Sequence, residues 1–111
     1  MKRIILHWTA GGNTANGTDK RAYHYIIDIA NGRPRVVAGD LPPEANERIP
    51  SGAKAGVDYA AHTRGTNTGS IGVAVAGMRN ARERPFDAGP SPMTEAQIEQ
   101  LCVFVAGLAR Q

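Results

Sequence analysis

Three histidines, His7, His24 and His62, are the residues of this chain best suited to chemistry, because a neutral imidazole can bind a metal ion or exchange a proton near neutral pH. Their spacing matches no short metal-binding motif, and no serine occupies a nucleophile-elbow turn. A site that uses these histidines must therefore be assembled by the fold. From the residues alone, His7 and His24 could each instead be a buried ring that hydrogen-bonds to backbone.

His7 follows an aliphatic run, residues 4–6, and is itself followed by the glycine pair Gly11-Gly12. Such a short apolar run before a turn signal is typical of a central strand covered on both faces. Open α/β sheets bind ligands beside the carboxyl ends of their strands. We therefore expect His7 at a strand end, on the floor of the main cleft.

A second apolar segment, residues 23–29, is rich in aromatic and β-branched side chains, and Asn31-Gly32 after it predicts a hairpin into residues 35–38. Alternation along this strand would place Tyr23 and His24 on opposite faces, so that only one of them could lie near a site. We expect the Tyr23 hydroxyl to face the same opening as His7, and His24 to be a buried histidine with its hydrogen bonds satisfied.

The polar segment 58–67 brings His62, Arg64 and Asn67 within six residues of one another. It follows a long stretch, residues 39–57, that is rich in proline and glycine and has little periodicity. Loops of this length in compact domains are usually functional or mobile. The segment either lines a binding cleft or is a solvated loop, and its composition does not distinguish the two.

The remaining pattern predicts an α/β domain. Residues 70–77 form an apolar strand of small residues that suits a sheet centre, whereas residues 11–21 and 79–92 are expected to be loops. Thr94-x-x-Gln97 has the spacing of a capping box at the start of a helix. The predicted core face of this helix is apolar at helical spacing and consists of Ile98, Leu101, Cys102, Val105, Leu108 and Ala109. It includes the single cysteine, which is expected to serve packing.

Length and composition predict one domain over residues 1–111, with a net charge of +3 and too few aromatics, 5%, for a single-strand nucleic-acid platform. One cysteine excludes an internal disulfide. The amino terminus does not have the pattern of a signal peptide, and no apolar stretch is long enough to span a membrane. We therefore expect the protein to accumulate in the cytoplasm.

Taken together, four ordered blocks resemble the zinc-dependent N-acetylmuramoyl-L-alanine amidases of the phage lysozyme and peptidoglycan recognition protein superfamily: HWTAG (7–11), YHYIID (23–28) with NG (31–32), AHTRGTN (61–67) and SIGVAVAG (70–77). The prophage or gene-transfer-agent endolysin branch is the most similar, on residues 67–70, 77–78 and 92–94. The resemblance covers nearly the whole chain.

This resemblance implies a central mixed β-sheet flanked by helices, and hydrolysis of the amide between the muramic acid lactyl group and L-alanine of peptidoglycan. His7 would be the first zinc ligand and Tyr23 the catalytic tyrosine. Zinc would activate water for attack, which requires an open coordination position. The implied substrate-binding residues, which would contact peptidoglycan or muropeptides, are Trp8, Thr9, His62, Arg64 and Asn67. The resemblance implies that a holin would release the protein to the cell wall.

The resemblance also implies a deficit, because the family's second and third zinc ligands follow the helix with which this sequence closes. We therefore expect an amidase-like domain that is incomplete at its C-terminus, with zinc bound weakly or not at all. The alternative is a non-catalytic peptidoglycan-binding module of the same fold, and a structural role in a phage particle is a distant third. If another chain supplies the missing segment, either a second copy or a complementing chain would be a partner.

Overall fold

A computed structural model describes residues 2–83 and 85–111. Four six-residue strands form one mixed sheet: β1 Arg3–Trp8, β2 Tyr25–Ala30, β3 Arg33–Ala38 and β4 Ser70–Val75. Their order across the sheet is β1-β4-β2-β3. Strands β1, β4 and β2 are parallel, and β3 runs antiparallel to β2 through the predicted Asn31-Gly32 turn, whose residues have φ values of 52° and 74°. The α/β class and the mixed sheet are confirmed.

Two helices flank the sheet, α1 over Gly17–Ala22 and α2 over Glu95–Ala109. Helix α1 begins inside the segment 11–21 predicted as a loop and ends one residue after it. It forms because Asn16 and Asp19 make a capping box, in which each side chain accepts a hydrogen bond from the other residue's backbone amide. A short 3₁₀ turn at Pro43–Asn46 is followed by irregular chain as far as β4.

The segment expected as a second loop also contains regular structure, the two-residue strands β5 Arg82–Glu83 and β6 Phe86–Asp87, which pair antiparallel. In the part of the chain that the structure describes, no helix is long and apolar enough to cross a membrane.

The sheet has two different faces. Residues in register on neighbouring strands point to the same side, so Ile27, Val73 and Val75 share the face that α2 covers. The opposite face carries His7 and Ala74 and is covered by the long segment between β3 and β4. Strand β4 lies between β1 and β2 with every residue buried, which agrees with its small apolar side chains.

Helix α2 begins at the predicted capping box, in which Gln97 N donates to Thr94 Oγ1 at 3.1 Å and Thr94 N donates to Gln97 Oε1 at 3.0 Å. Gln97 is also fully buried and donates through Nε2 to the backbone carbonyls of Ile27 and Ala76. One side chain therefore both caps the helix and fastens it to β2 and to the residue that follows β4.

The predicted core face of α2 is partly wrong. Leu101, Val105 and Leu108 pack on the core as expected, but Cys102 is exposed, as are Ile98 and Ala109. Phe104 takes the inward position instead, because its ring packs edge-on against Tyr25 at a centroid distance of 4.9 Å. The burial of this aromatic side chain sets the rotation of the helix.

Candidate functional site

His7 and Tyr23 lie side by side, with ring centroids 5.3 Å apart. His7 is near the end of β1, and Tyr23 is the C-cap of α1, held in extended conformation with its amide donating to the Asp19 carbonyl. Burial lowers the pKa of His7, which favours the neutral imidazole. Burial also raises the pKa of the Tyr23 hydroxyl, and the Asp19 charge adds to this, so the phenol stays protonated.

Tyr23 and His24 both lie near the site, contrary to the alternation expected for this segment. The rings of His7, His62 and His24 form a row, with centroid distances of 5.1 Å and 5.5 Å. The expectation is wrong because β2 begins only at Tyr25. Tyr23 and His24 belong to the connection from α1, where the two-residue period of a strand does not apply.

His24 is a buried histidine with both ring nitrogens satisfied, as predicted. It is 1% exposed, its Nδ1 accepts a hydrogen bond from the Gly72 amide at 2.9 Å, and its Nε2 lies 3.0 Å from Asn46 Oδ1. Because a backbone amide can only donate, Nδ1 carries the lone pair and Nε2 carries the proton. His24 therefore has no free nitrogen for a metal or a substrate.

His62 contacts His7 directly, since its Nδ1 lies 3.0 Å from His7 Nε2. Burial, and then the proximity of His7 and His24, lower the pKa of His62 to about 4. Its Nε2 is buried without a hydrogen-bond partner in the described part of the chain. The ring therefore points into the row of histidines and not toward solvent.

Gly72 makes room for this arrangement and is a functional residue that the sequence analysis did not single out. A Cβ at this position would lie 2.5 to 2.7 Å from atoms of the His62 ring. The glycine also donates its amide to His24. A glycine inside a strand is a known signal of close approach by another group, so the position could have been found.

Asn46 is the second residue that the sequence analysis missed. It is fully buried, and its amide group bonds the His24 ring, both backbone polar groups of Ala60 and the Asn67 carbonyl. This one side chain therefore organises the irregular segment that delivers His62. Asparagine is common in loops, and so nothing in its local sequence distinguishes this one.

The proposed substrate-binding residues differ in their exposure and in their hydrogen-bond partners. Asn67 Oδ1 accepts hydrogen bonds from the His62 and Thr63 amides, and Thr9 Oγ1 accepts from two glycine amides, so both oxygens are engaged by backbone amides. Trp8 is 54% exposed and pairs in register with Val75, which puts it on the sheet face opposite His7. Arg64 is exposed beside His62. The substrate-binding roles of these residues stay predictions.

A cavity of about 520 Å³ does not have His7 among the residues that line it. It lies at the other end of β1 and is lined by residues such as Arg3, Tyr25 and Leu108. That His7 forms the floor of the main cleft stays a prediction. The His62 ring lies beside His7, and a smaller depression of about 230 Å³ borders Asn67 and Tyr59.

The family model for N-acetylmuramoyl-L-alanine amidase matches residues 1–111. The chain belongs to this family. The activity of the family in general is hydrolysis of an amide in peptidoglycan, and the mixed sheet with flanking helices is consistent with the fold of the family. No curated protein and no solved structure gives a match to the chain.

Zinc, which the family generally uses, does not fit the donors found here. Among residues 2–83 and 85–111, no group of three histidine, cysteine or acidic side chains could hold a metal ion. His24 has both nitrogens engaged, and Cys102 is exposed on α2, which covers the other face of the sheet. His7 keeps one nitrogen, Nδ1, outside its contact with His62. A zinc site needs three protein ligands, and this set falls short.

Proposed function

We propose that this domain acts on the amide between the muramic acid lactyl group and L-alanine of peptidoglycan, and that His7 and Tyr23 are its reactive pair. The observation that carries the proposal is their juxtaposition, 5.3 Å between ring centroids, in a chain of the amidase family. A neutral His7 offers a nitrogen lone pair. A protonated Tyr23 offers an O–H donor that can stabilise negative charge as it develops on the scissile carbonyl oxygen.

For zinc dependence, we propose that His7 supplies one ligand and that the others come from outside these 111 residues, either from a further segment or from a second chain. The support is the ligand deficit itself, because one histidine cannot hold zinc against buffer and chelators. The 111-residue chain alone should then hydrolyse peptidoglycan poorly. An endolysin of prophage origin remains the proposed biological setting.

The test is hydrolysis of purified peptidoglycan, followed by labelling the α-amino groups of L-alanine that the reaction exposes. In whichever form is active, alone or complemented, His7→Ala and Tyr23→Phe should each lower the rate by about 100-fold or more, the range of a lost acid, base or oxyanion donor. Tyr25→Phe is the matched control, because it removes the same hydroxyl from the opposite sheet face. Equal rates for Tyr23→Phe and Tyr25→Phe would refute the assignment.

The same ligand deficit favours a second candidate, a peptidoglycan-binding module without hydrolytic activity. In that case calorimetry with muropeptides should show binding that a chelator leaves unchanged, and no new amino groups should appear. Exposed Arg64 is the proposed contact to a stem-peptide carboxylate, so Arg64→Ala should weaken binding by about two- to fivefold. Arg48→Ala, at another exposed arginine of the same segment, is the control.

A further inference from the structure

We propose that His62 is the positioning residue of His7, and that it fixes the His7 ring as the tautomer with its proton on Nε2 and its lone pair on Nδ1. The inference rests on the proposed function in one respect, that His7 is the residue whose free nitrogen the site uses. It gives His62 a role different from substrate binding.

The contact between the two rings determines which nitrogen of His7 is free. His62 Nδ1 lies 3.0 Å from His7 Nε2, and the rings meet nearly edge-on at an angle of 74°. His7 Nε2 is thereby occupied, and Nδ1 is left for the site. A neutral imidazole has one donor and one acceptor nitrogen, so Nδ1 can offer a lone pair only if Nε2 carries the proton.

The chemistry of the imidazole ring favours donation from His7 to His62 over the reverse. If His7 donates, both rings carry their proton on Nε2, which is the form that free neutral histidine prefers. If His62 donated instead, both rings would carry their proton on Nδ1.

The fold holds His62 so that this contact is built in advance. The ring lies directly over Gly72, where a Cβ would approach it to 2.5 Å, and the His62 backbone amide is fixed by Asn67 Oδ1 at 3.0 Å. A partner that orients the second nitrogen of a functional histidine sets both its tautomer and its ring orientation. His62 has the geometry of such a partner, with an imidazole in the place of the usual carboxylate or carbonyl.

The test reads the tautomers directly, by long-range proton–nitrogen NMR correlation of the imidazole rings at pH about 8, where histidines of ordinary pKa are neutral. A chelator keeps the protein metal-free. His7 should show a protonated Nε2 and an unprotonated Nδ1. His24 is the internal reference, since the Gly72 amide fixes it in the same tautomer. A proton on His7 Nδ1 in the unsubstituted protein would overturn the proposal.

Two variants then test the role of His62. In His62→Asn the side-chain amide takes the place of Nδ1, so the His7 nitrogen shifts should stay those of a single tautomer. In His62→Leu they should move toward the average of two tautomers, while unchanged His24 shifts show that the fold is kept. Unchanged His7 shifts in His62→Leu would refute positioning by His62. The NMR reading needs no substrate, so an inactive protein with the expected tautomer would refute the proposed function alone.

Discussion

His62 is the middle ring of the histidine row, and its burial makes the stability of the domain depend on pH. Its pKa of about 4 in the folded protein lies below the ordinary value of 6.5, so the unfolded chain binds more protons between these values. The contribution of neutral His62 to the free energy of unfolding is fully present above pH about 6.5 and is lost as the pH falls to about 4. The shift corresponds to about 3 kcal/mol.

We therefore expect the free energy of unfolding, measured by urea titration with a chelator present, to fall as the pH is lowered from about 6.5 to 4. The free energy of unfolding of the His62→Asn variant should fall less over the same interval, and the difference between the two proteins should be about 3 kcal/mol. His7 and His24, whose pKa values are also lowered, remain in both proteins and serve as the common background. Parallel curves would show that His62 is not the titrating group.

At the scale of elements, the segment between β3 and β4 depends on Asn46. Asn46→Ala would leave the buried amide and carbonyl of Ala60 and the His24 ring without this partner, and unmade buried hydrogen bonds are costly. We expect a loss of about 3 kcal/mol in the free energy of unfolding. Glu47→Ala, at the exposed neighbouring position, should change it by about 0.5 kcal/mol or less. Similar effects of the two substitutions would contradict the role of Asn46.

The rotation of α2 gives a second test at this scale. Phe104→Ala should cost about 2 to 3 kcal/mol, since it removes a ring that packs on Tyr25 and on the core. Cys102→Ala should be within about 0.5 kcal/mol of the unsubstituted protein, and Cys102 should react with a thiol reagent in the native state because it is exposed. If the thiol reacted only after unfolding, the result would support the helix face predicted from sequence, in which Cys102 packs on the core.

At the scale of the whole molecule, β1 is an edge strand with exposed apolar side chains. Leu6 is 53% exposed and Trp8 54%, and β1 pairs with β4 on one side as the outermost strand of the sheet. An open strand edge with apolar side chains favours self-association. Leu6→Lys should therefore shift the mass measured by light scattering at high protein concentration toward the monomer. Ser51→Lys adds the same charge to an exposed loop and should have no such effect.

The sequence by itself determined most of the elements. The alternating or continuous apolar runs predicted the strands, Asn31-Gly32 predicted the hairpin, and Thr94-x-x-Gln97 predicted the start of α2, because each of these signals acts over a few residues. The sequence also distinguished His7 as a residue near a strand end and His24 as a buried, satisfied ring. The resemblance of the ordered blocks predicted the family, to which the chain belongs.

Only the tertiary structure decided how the site is assembled. The row of His7, His62 and His24 joins positions far apart in sequence, and it depends on a missing Cβ at Gly72 and on Asn46. A glycine inside a strand signals close approach but does not tell which group approaches, and Asn46 has no distinctive local pattern. The rotation of α2 was likewise set by the contact of Phe104 with another element. Local sequence fixes backbone preference and hydrophobic period, whereas the partner of a side chain is chosen by packing between segments that the sequence separates.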